Sequence, residues 1–300
     1  MAEKHSLNAK LYKALENNET EIVSQMCEEV DEHGLHILTI LDNTVLHMAT
    51  YANKSELVLR LLQELPNHHL DKLGRQNQLG DTILYMTAIS NDKTHEVARK
   101  LLEKAPGLLC MHSNLGETAL FWSVRYDNKE MFHYFAKNIL GYEYENQILF
   151  IQRTDKTTIL HIAILSKNFQ LALEIAEKFE RLVGERDADG MTGLQLLSCN
   201  PGAFQCDDEL GFFNSVNLYS SSTKQKAIAE RKQKYESAMK LAKFLIKRDT
   251  SWEITYHKAG PSKPVLHKHN GNSKTEKKVA EGNPMNFLGQ EEGATNSKGF

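Results

Sequence analysis

Apolar positions along the chain come in pairs of short helical stripes, each pair introduced by a threonine. Leu46 to Tyr51 follows Thr44 and is answered by Leu57, Val58, Leu61 and Leu62, spaced as one face of a 3.6-residue helix. The plan returns in Thr82 to Ile89 with Val97, Ala98, Leu101 and Leu102, and in Thr118 to Val124 with Met131, Phe132 and Phe135. It returns again in Thr158 to Leu165 with Leu171, Leu173, Ile175 and Ala176. A sixth unit opens at Thr192 but loses its second stripe after Pro201-Gly202, and a degenerate first unit is read in Leu11 to Ala14 with Ile22, Val23 and Met26. The threonines Thr44, Thr82, Thr118, Thr158 and Thr192 are 38, 36, 40 and 34 residues apart by subtraction. Repeats of this length signify stacked supersecondary units, because one helix pair cannot bury its apolar face alone. Thr44 supplies a hydroxyl at a helix N-cap, while Pro66 and Pro106-Gly107 end second helices.

The expected architecture is an all-α solenoid of about six helix pairs over residues 1–200, with atypical first and last units. Residues 201–226 read as a loop, since Phe204 to Ser222 lacks helical periodicity and ends in a serine run. A capping segment is expected over 227–256, in which Tyr235, Ala238, Met239, Ala242, Leu245 and Ile246 share one side of a helix. Residues 257–300, rich in Gly, Pro, Asn, Ser and Lys, hold too few apolar groups to offset chain entropy and are expected to be disordered.

The repeated Thr-x-Leu-His-x-Ala of Thr44 to Ala49 and Thr158 to Ala163 resembles the ankyrin repeat. A narrower likeness is carried by the Leu61-Leu62 to Pro66 and Leu101-Leu102 to Leu109 helix closings. The break at Leu196 to Phe204 and the helix around Ala238 to Ile246 add to it. Together they resemble the plant ankyrin proteins whose later portion is a PGG domain of membrane helices, over roughly residues 7–256. The resemblance implies a protein-binding scaffold in defence or stress signalling, cytoplasmic or held at the cytosolic face of the plasma membrane by a partner. It also implies that this chain corresponds to the front half of such proteins. The alternative is a soluble truncated form that regulates membrane-anchored ankyrin proteins by assembling with them or competing against them.

Composition narrows the chemistry. A net charge of -3 is too small to argue for nucleic acid or a membrane surface as a partner, and no nucleic acid is expected. No stretch approaches the ~20 apolar residues of a membrane span, and Met1 to His5 leads into a polar segment without a secretory core. Cys27, Cys110, Cys199 and Cys206 form no CxxC pair, which fits a reducing compartment; Cys27 and Cys110 end apolar helical stretches and are expected to pack as small hydrophobes.

Catalytic and metal-binding readings fare poorly. In Asp187 to Thr192 the threonine stands one place too late for an aspartate-based phosphatase loop, and the twelfth position of a calcium loop is Ser198. His47 and His161 are replaced in the other units by Tyr85, Phe121 and Gln195, so they read as bridges between units rather than bases. His257, His267 and His269 lie in the polar tail, without preorganised ligand geometry. No catalytic residue, cofactor or metal is expected. The segment Lys224 to Arg248 carries nine Lys or Arg against Glu230 and Glu236; it reads as a capping helix, with contact to anionic lipid as the alternative. Other proteins are the expected partners. The resemblance assigns the concave surface to Asn43, Tyr51, Gln78, Asp81, Ser90, Asn114, Glu117, Arg125, Tyr126, Asp155 and Thr157, with Arg125 and Tyr126 as the expected hot spot.

Overall fold

The computed structural model describes residues 2–89, 94–204 and 222–251. Ser90 and Cys206, the loop residues 205–221 and the tail expected over 257–300 fall outside them.

The described chain is an all-α stack of helix pairs, as its periodicity requires. The first unit is α1 (Ala2–Glu16) and α2 (Thr20–Glu28); the second is α3 (Val45–Tyr51) and α4 (Ser55–Glu64). The third and fourth are α5 (Ile83–Ile89) with α6 (Thr94–Lys104), and α7 (Ala119–Arg125) with α8 (Lys129–Ile139). A short helix, α9 (Ile148–Ile151), precedes the fifth unit, α10 (Ile159–Leu165) and α11 (Phe169–Lys178). The sixth begins with α12 (Gly193–Ser198). First helices pack in a row, α3 on α5, α5 on α7, α7 on α10 and α10 on α12, while α2, α4, α6 and α8 form a second row behind them. The core runs continuously along the seam between rows, from Leu11 and Val23 through Leu46, Leu84, Leu120 and Leu160 to Leu197. In the first unit the expected stripe is met only in part: Val23 is buried, but Ile22 is exposed.

The last unit recovers its second helix from farther along the chain. After the 3-10 turn Pro201–Ala203 the array resumes with α13 (Ser222–Arg248), which packs on α11 and α12. Helix α13 starts at Ser222 rather than Ala227. Its buried residues are Ala238, Leu241 and Leu245, whereas Ile246, expected on the same side, is exposed. Beyond its end, the Asp249 carboxylate accepts a hydrogen bond from the Thr192 hydroxyl at 3.0 Å, tying this helix to the N-cap of α12. Among the cysteines, Cys27 is buried as expected, and burial, aided by Glu64, pushes its thiol up to about 12. Cys110 is exposed instead, because it closes a 3-10 segment (Pro106–Cys110) whose apolar contacts come from Leu108 and Leu109.

Two recurrent backbone features hold the units in step. The turn between the two helices of a unit places one residue in the left-handed region, at Asn18, Asn53, Asp127 and Lys167. The hairpin before each threonine does the same two residues upstream of it, at Asp42, Gly80, Gly116, Lys156 and Gly190. At Gly80, with φ of 81°, a Cβ would stand 2.5 Å from the backbone nitrogen of Asn114, so the next hairpin sits too close for any side chain.

Candidate functional site

The expected interaction face comprises the hairpins and the exposed side of the first helices, and its chemistry starts at the N-caps. Thr44 caps α3: its hydroxyl oxygen accepts from the His47 backbone N–H, and His47 Nδ1 accepts in return from the Thr44 N–H at 3.3 Å. With Nδ1 accepting, the ring proton lies on Nε2, which donates to the Asp81 carbonyl of the next unit at 3.3 Å. Thr158 and His161 repeat this arrangement, with Nε2 reaching the Glu185 carbonyl at 3.2 Å. Burial holds both imidazoles neutral, lowering His47 to about 4 and moving His161 in the same direction. These histidines bridge backbone groups between units.

Where the histidine is missing, other groups take over its span. The Tyr85 hydroxyl donates to the Glu117 carbonyl and contacts the Met111 carbonyl at 2.9 Å. Phe121 cannot donate, and there the Thr118 hydroxyl itself crosses to the Phe150 carbonyl at 3.0 Å. Gln195 restores the capping box at Thr192. Only Thr82 is left with a buried hydroxyl lacking a partner among these N-cap threonines.

The hairpins are stitched to one another. The Gln78 N–H donates to the Leu41 carbonyl and its side-chain amide to the Ile40 carbonyl, both at 2.9 Å. One unit on, the Asn114 N–H donates to the Leu79 carbonyl at 2.9 Å and its amide to the Gln78 carbonyl at 2.8 Å. The Asn43 side-chain oxygen accepts from Asn77 at 3.0 Å. Three of the expected binding residues, Asn43, Gln78 and Asn114, therefore also fasten neighbouring units together. The Asp187 carboxylate, weighed above as a metal or phosphatase group, accepts from the N–H groups of Asp189 and Met191 within its own hairpin. No group of three or more metal-ligating side chains occurs among the described residues.

The charged members form one compact cluster. The buried Glu117 carboxylate receives the Arg125 guanidinium from α7 and that of Arg153 from the next hairpin at 3.3 Å. Arg153 in turn holds Asp155 at 2.7 Å, and Asp155 accepts the Thr157 N–H at 2.9 Å. Arg125, expected to project toward a partner, thus folds back onto Glu117, and Thr157 is buried. Asp81 is 1% exposed, and neither carboxylate oxygen has a hydrogen-bond partner. Burial first, then the Glu117 charge, raise it to about 7, with a smaller opposing effect from Asn77.

Aromatic rings line the same face. Tyr85 meets Trp122 edge-on with centroids 5.7 Å apart, and Trp122 lies 5.8 Å from Tyr126, which C-caps α7. Tyr51 and Tyr126 are half-buried. The phenol of Tyr126 is raised by burial, and Asp81 and Glu117 push it the same way while Arg125 opposes them. Sequence reasoning missed Arg153 and Trp122. Trp122 could have been found four residues before Tyr126, on the same face of its helix. It also missed the hairpin-tip residues Ile40, Leu79 and Leu115, which are 76%, 51% and 53% exposed. Their signal was an aliphatic side chain recurring in successive hairpins, where polar residues are the norm.

Residues 46–148 match the family model of ankyrin repeats (3 copies), which spans α3 through the start of α9 and contains most of the cluster. No curated protein matches the chain. The fold is an all-α ankyrin-repeat solenoid, an architecture whose extended surfaces generally bind other proteins.

Proposed function

We propose that the chain is a non-enzymatic scaffold that binds another protein along the hairpins and first helices of its second to fifth units. The observation that carries this reading is the coincidence, on one face of a repeat array, of half-buried Tyr51, Trp122 and Tyr126 with the exposed Ile40, Leu79 and Leu115. Tyrosine and tryptophan supply large contact area at low entropic cost, and apolar tips that the fold leaves uncovered mark surfaces meant for a partner.

A finer reading rests on the resemblance to plant ankyrin proteins with a PGG domain. It assigns the scaffold to defence or stress signalling, in the cytoplasm or at the cytosolic face of the plasma membrane through a partner. Membrane-anchored ankyrin proteins are then candidate partners. The exposed Lys232, Lys240, Lys243 and Lys247 of α13 offer a second route to an anionic membrane surface. No described helix is long and apolar enough to cross a membrane. The alternative, a soluble form that regulates membrane-anchored relatives through like repeats, is favoured by one observation. Leu7 and Met26 of the first unit border an open groove with Ser6, Lys10 and Glu29, on which a further repeat would have to dock.

The test is affinity capture from source-tissue extract with the wild-type chain and a Tyr51→Ala/Tyr126→Ala variant of unchanged circular dichroism, followed by binding measurements with the purified candidate. A partner bound by the wild type and lost by the variant supports the scaffold reading. Identical capture by both proteins would sink the proposed face.

A further inference from the structure

The cluster on the first-helix face does not balance its charge. Three carboxylates, Asp81, Glu117 and Asp155, stand with two guanidinium groups, Arg125 and Arg153. Both arginines are committed to Glu117 and Asp155, so Asp81 is left over. It is buried, neither oxygen has a hydrogen bond of ordinary geometry, the Asn77 side chain relieves it only in part, and the charge acting most on it is the like charge of Glu117. An ionised carboxylate in such a place is costly, and native chains keep one only for a reason.

The fold supplies no reason. Every structural task at position 81 falls to the backbone: its carbonyl accepts from His47 Nε2 and from the Asn77 N–H, and its N–H donates to the Asn77 side chain at 2.9 Å. The equivalent place in other units is filled by Asn43, Glu117, Thr157 and Met191, each one residue before the capping threonine. Met191 shows that the position works without a polar side chain at all. Asn43 and Glu117 have partners for theirs.

We propose that Asp81 receives a lysine or arginine side chain of the bound protein, beside Glu117 and on the face that carries Tyr51 and Tyr126. The proposal rests on the scaffold reading and names the chemistry of its partner: a segment with a central cation. Aliphatic side chains flanking that cation meet the row Ile40, Leu79 and Leu115. Charge complementarity selects the occupant, because one incoming cation makes the count of carboxylates and cationic groups equal. The tyrosine rings add a second attraction, since a cation over an aromatic face is stabilised by the ring quadrupole. Asp81 is covered in the unbound chain, so a side chain must move to admit the cation. Tyr126, half-buried at the end of α7 and within reach of the Asp81 charge, is taken as the side chain that turns aside.

Selection of a phage-displayed random peptide library on the full chain tests this, with the best enriched peptide then synthesised and titrated against Asp81→Asn and Asp189→Asn. Asp81→Asn keeps the side-chain shape and removes the uncompensated charge. Asp189→Asn makes the same charge change in the exposed sixth hairpin. The expected result is enrichment of peptides carrying Lys or Arg, ~10-fold or more weaker binding to Asp81→Asn, and unaltered binding to Asp189→Asn. Replacing the peptide's Lys by norleucine, or its Arg by citrulline, then costs the wild type a similar factor and costs Asp81→Asn little. Enriched peptides without a cation, or equal binding to Asp81→Asn, overturn the cation site and leave the scaffold reading standing. A chain that enriches no peptide at all counts against both.

Discussion

The third and fifth units share a plan and differ in what they do with it. In the fifth, Thr158 and His161 satisfy one another, the histidine reaches the next unit, and Thr157 and Thr158 are buried without an orphaned polar atom. In the third, the same places hold Asp81, Thr82 and Tyr85: a carboxylate and a hydroxyl are buried without a hydrogen bond of ordinary geometry, and the tyrosine hydroxyl takes the histidine's place in reaching the next unit. The fifth unit satisfies its cap and the residue before it. The third breaks the polar-satisfaction rule twice within two residues, and such local violations cluster where a chain serves binding rather than stability. The hairpins show the reverse economy. Gly80 occupies the left-handed position of the third unit without strain, whereas Lys156 holds it in the fifth at φ of 71°.

Substituting the glycine breaks the comparison most severely. Gly80→Ala places a Cβ 2.5 Å from the Asn114 backbone nitrogen, in a conformation already unfavourable for an L-residue. The hairpin must shift, and the Asn114 N–H to Leu79 carbonyl bond goes with it. We expect a loss of about 3 kcal/mol in denaturant unfolding. An unchanged midpoint would mean the hairpins are not stitched as described.

Next in size is the well-satisfied unit. His161→Ala removes the acceptor for the Thr158 N–H and the donor to the Glu185 carbonyl, and leaves a cavity where a fully buried ring stood. The expected destabilisation is about 2 kcal/mol or more. Because the array is quasi-one-dimensional, hydrogen exchange should quicken first in α10 to α12 rather than in α3 to α6. Uniform acceleration across the stack would argue against this local role.

The two kinds of unit also answer pH in opposite senses. A histidine whose folded value is depressed gives stability that is present above its ordinary 6.5 and is lost as pH falls; for His47 the loss runs down to about 4. Asp81 is raised, from 3.8 to about 7, so its contribution is most favourable below 3.8 and is lost as pH rises through 7. Asp81→Asn should therefore stabilise the chain above pH 7, on the order of 2 kcal/mol, with the gain shrinking toward pH 4. Thermal melts of the variant and wild type across that range measure the difference directly. A destabilised variant at pH 8 would show that Asp81 has an internal partner, and the proposed cation site would lose its basis.

Much of the architecture was legible because it repeats. Thr44, Thr82, Thr118, Thr158 and Thr192 mark helix starts, and the apolar stripes mark both rows of helices, since burial and periodicity are properties of sequence spacing. The sixth unit was legible only as an interruption at Pro201-Gly202; that the later stripe at Ala238 and Leu245 supplies its second helix was not. The interaction face was legible only as a register. That Arg125 faces the surface follows from its place in α7; that its guanidinium turns back to Glu117 depends on Arg153 and Glu117 arriving from other hairpins. Asp81 looked like one more polar hairpin residue. Its isolation is a fact about neighbouring units, and no local pattern encodes it. Cys110 was misjudged for a related reason, since ending an apolar stretch says nothing about which side of a 3-10 turn is covered.

The smallest effect sharpens the hairpin half of the comparison. Lys156→Gly relieves a left-handed residue that costs about 1–2 kcal/mol in an L-amino acid, against about 0.5–1 kcal/mol of extra chain entropy lost by glycine on folding. The balance predicts a gain below about 1 kcal/mol, seen as a slightly raised denaturation midpoint with an unchanged slope. Lys156 is exposed and its side chain has little packing to forfeit, so the sign tests backbone strain almost alone. A loss instead would mean that the N–H to carbonyl bonds across the hairpin, Lys156 to Arg153 at 3.0 Å and Arg153 to Thr157 at 2.8 Å, need a stiff residue at the bend. In that case the fifth unit holds its hairpin by restricting the chain, where the third holds its own by close approach at Gly80.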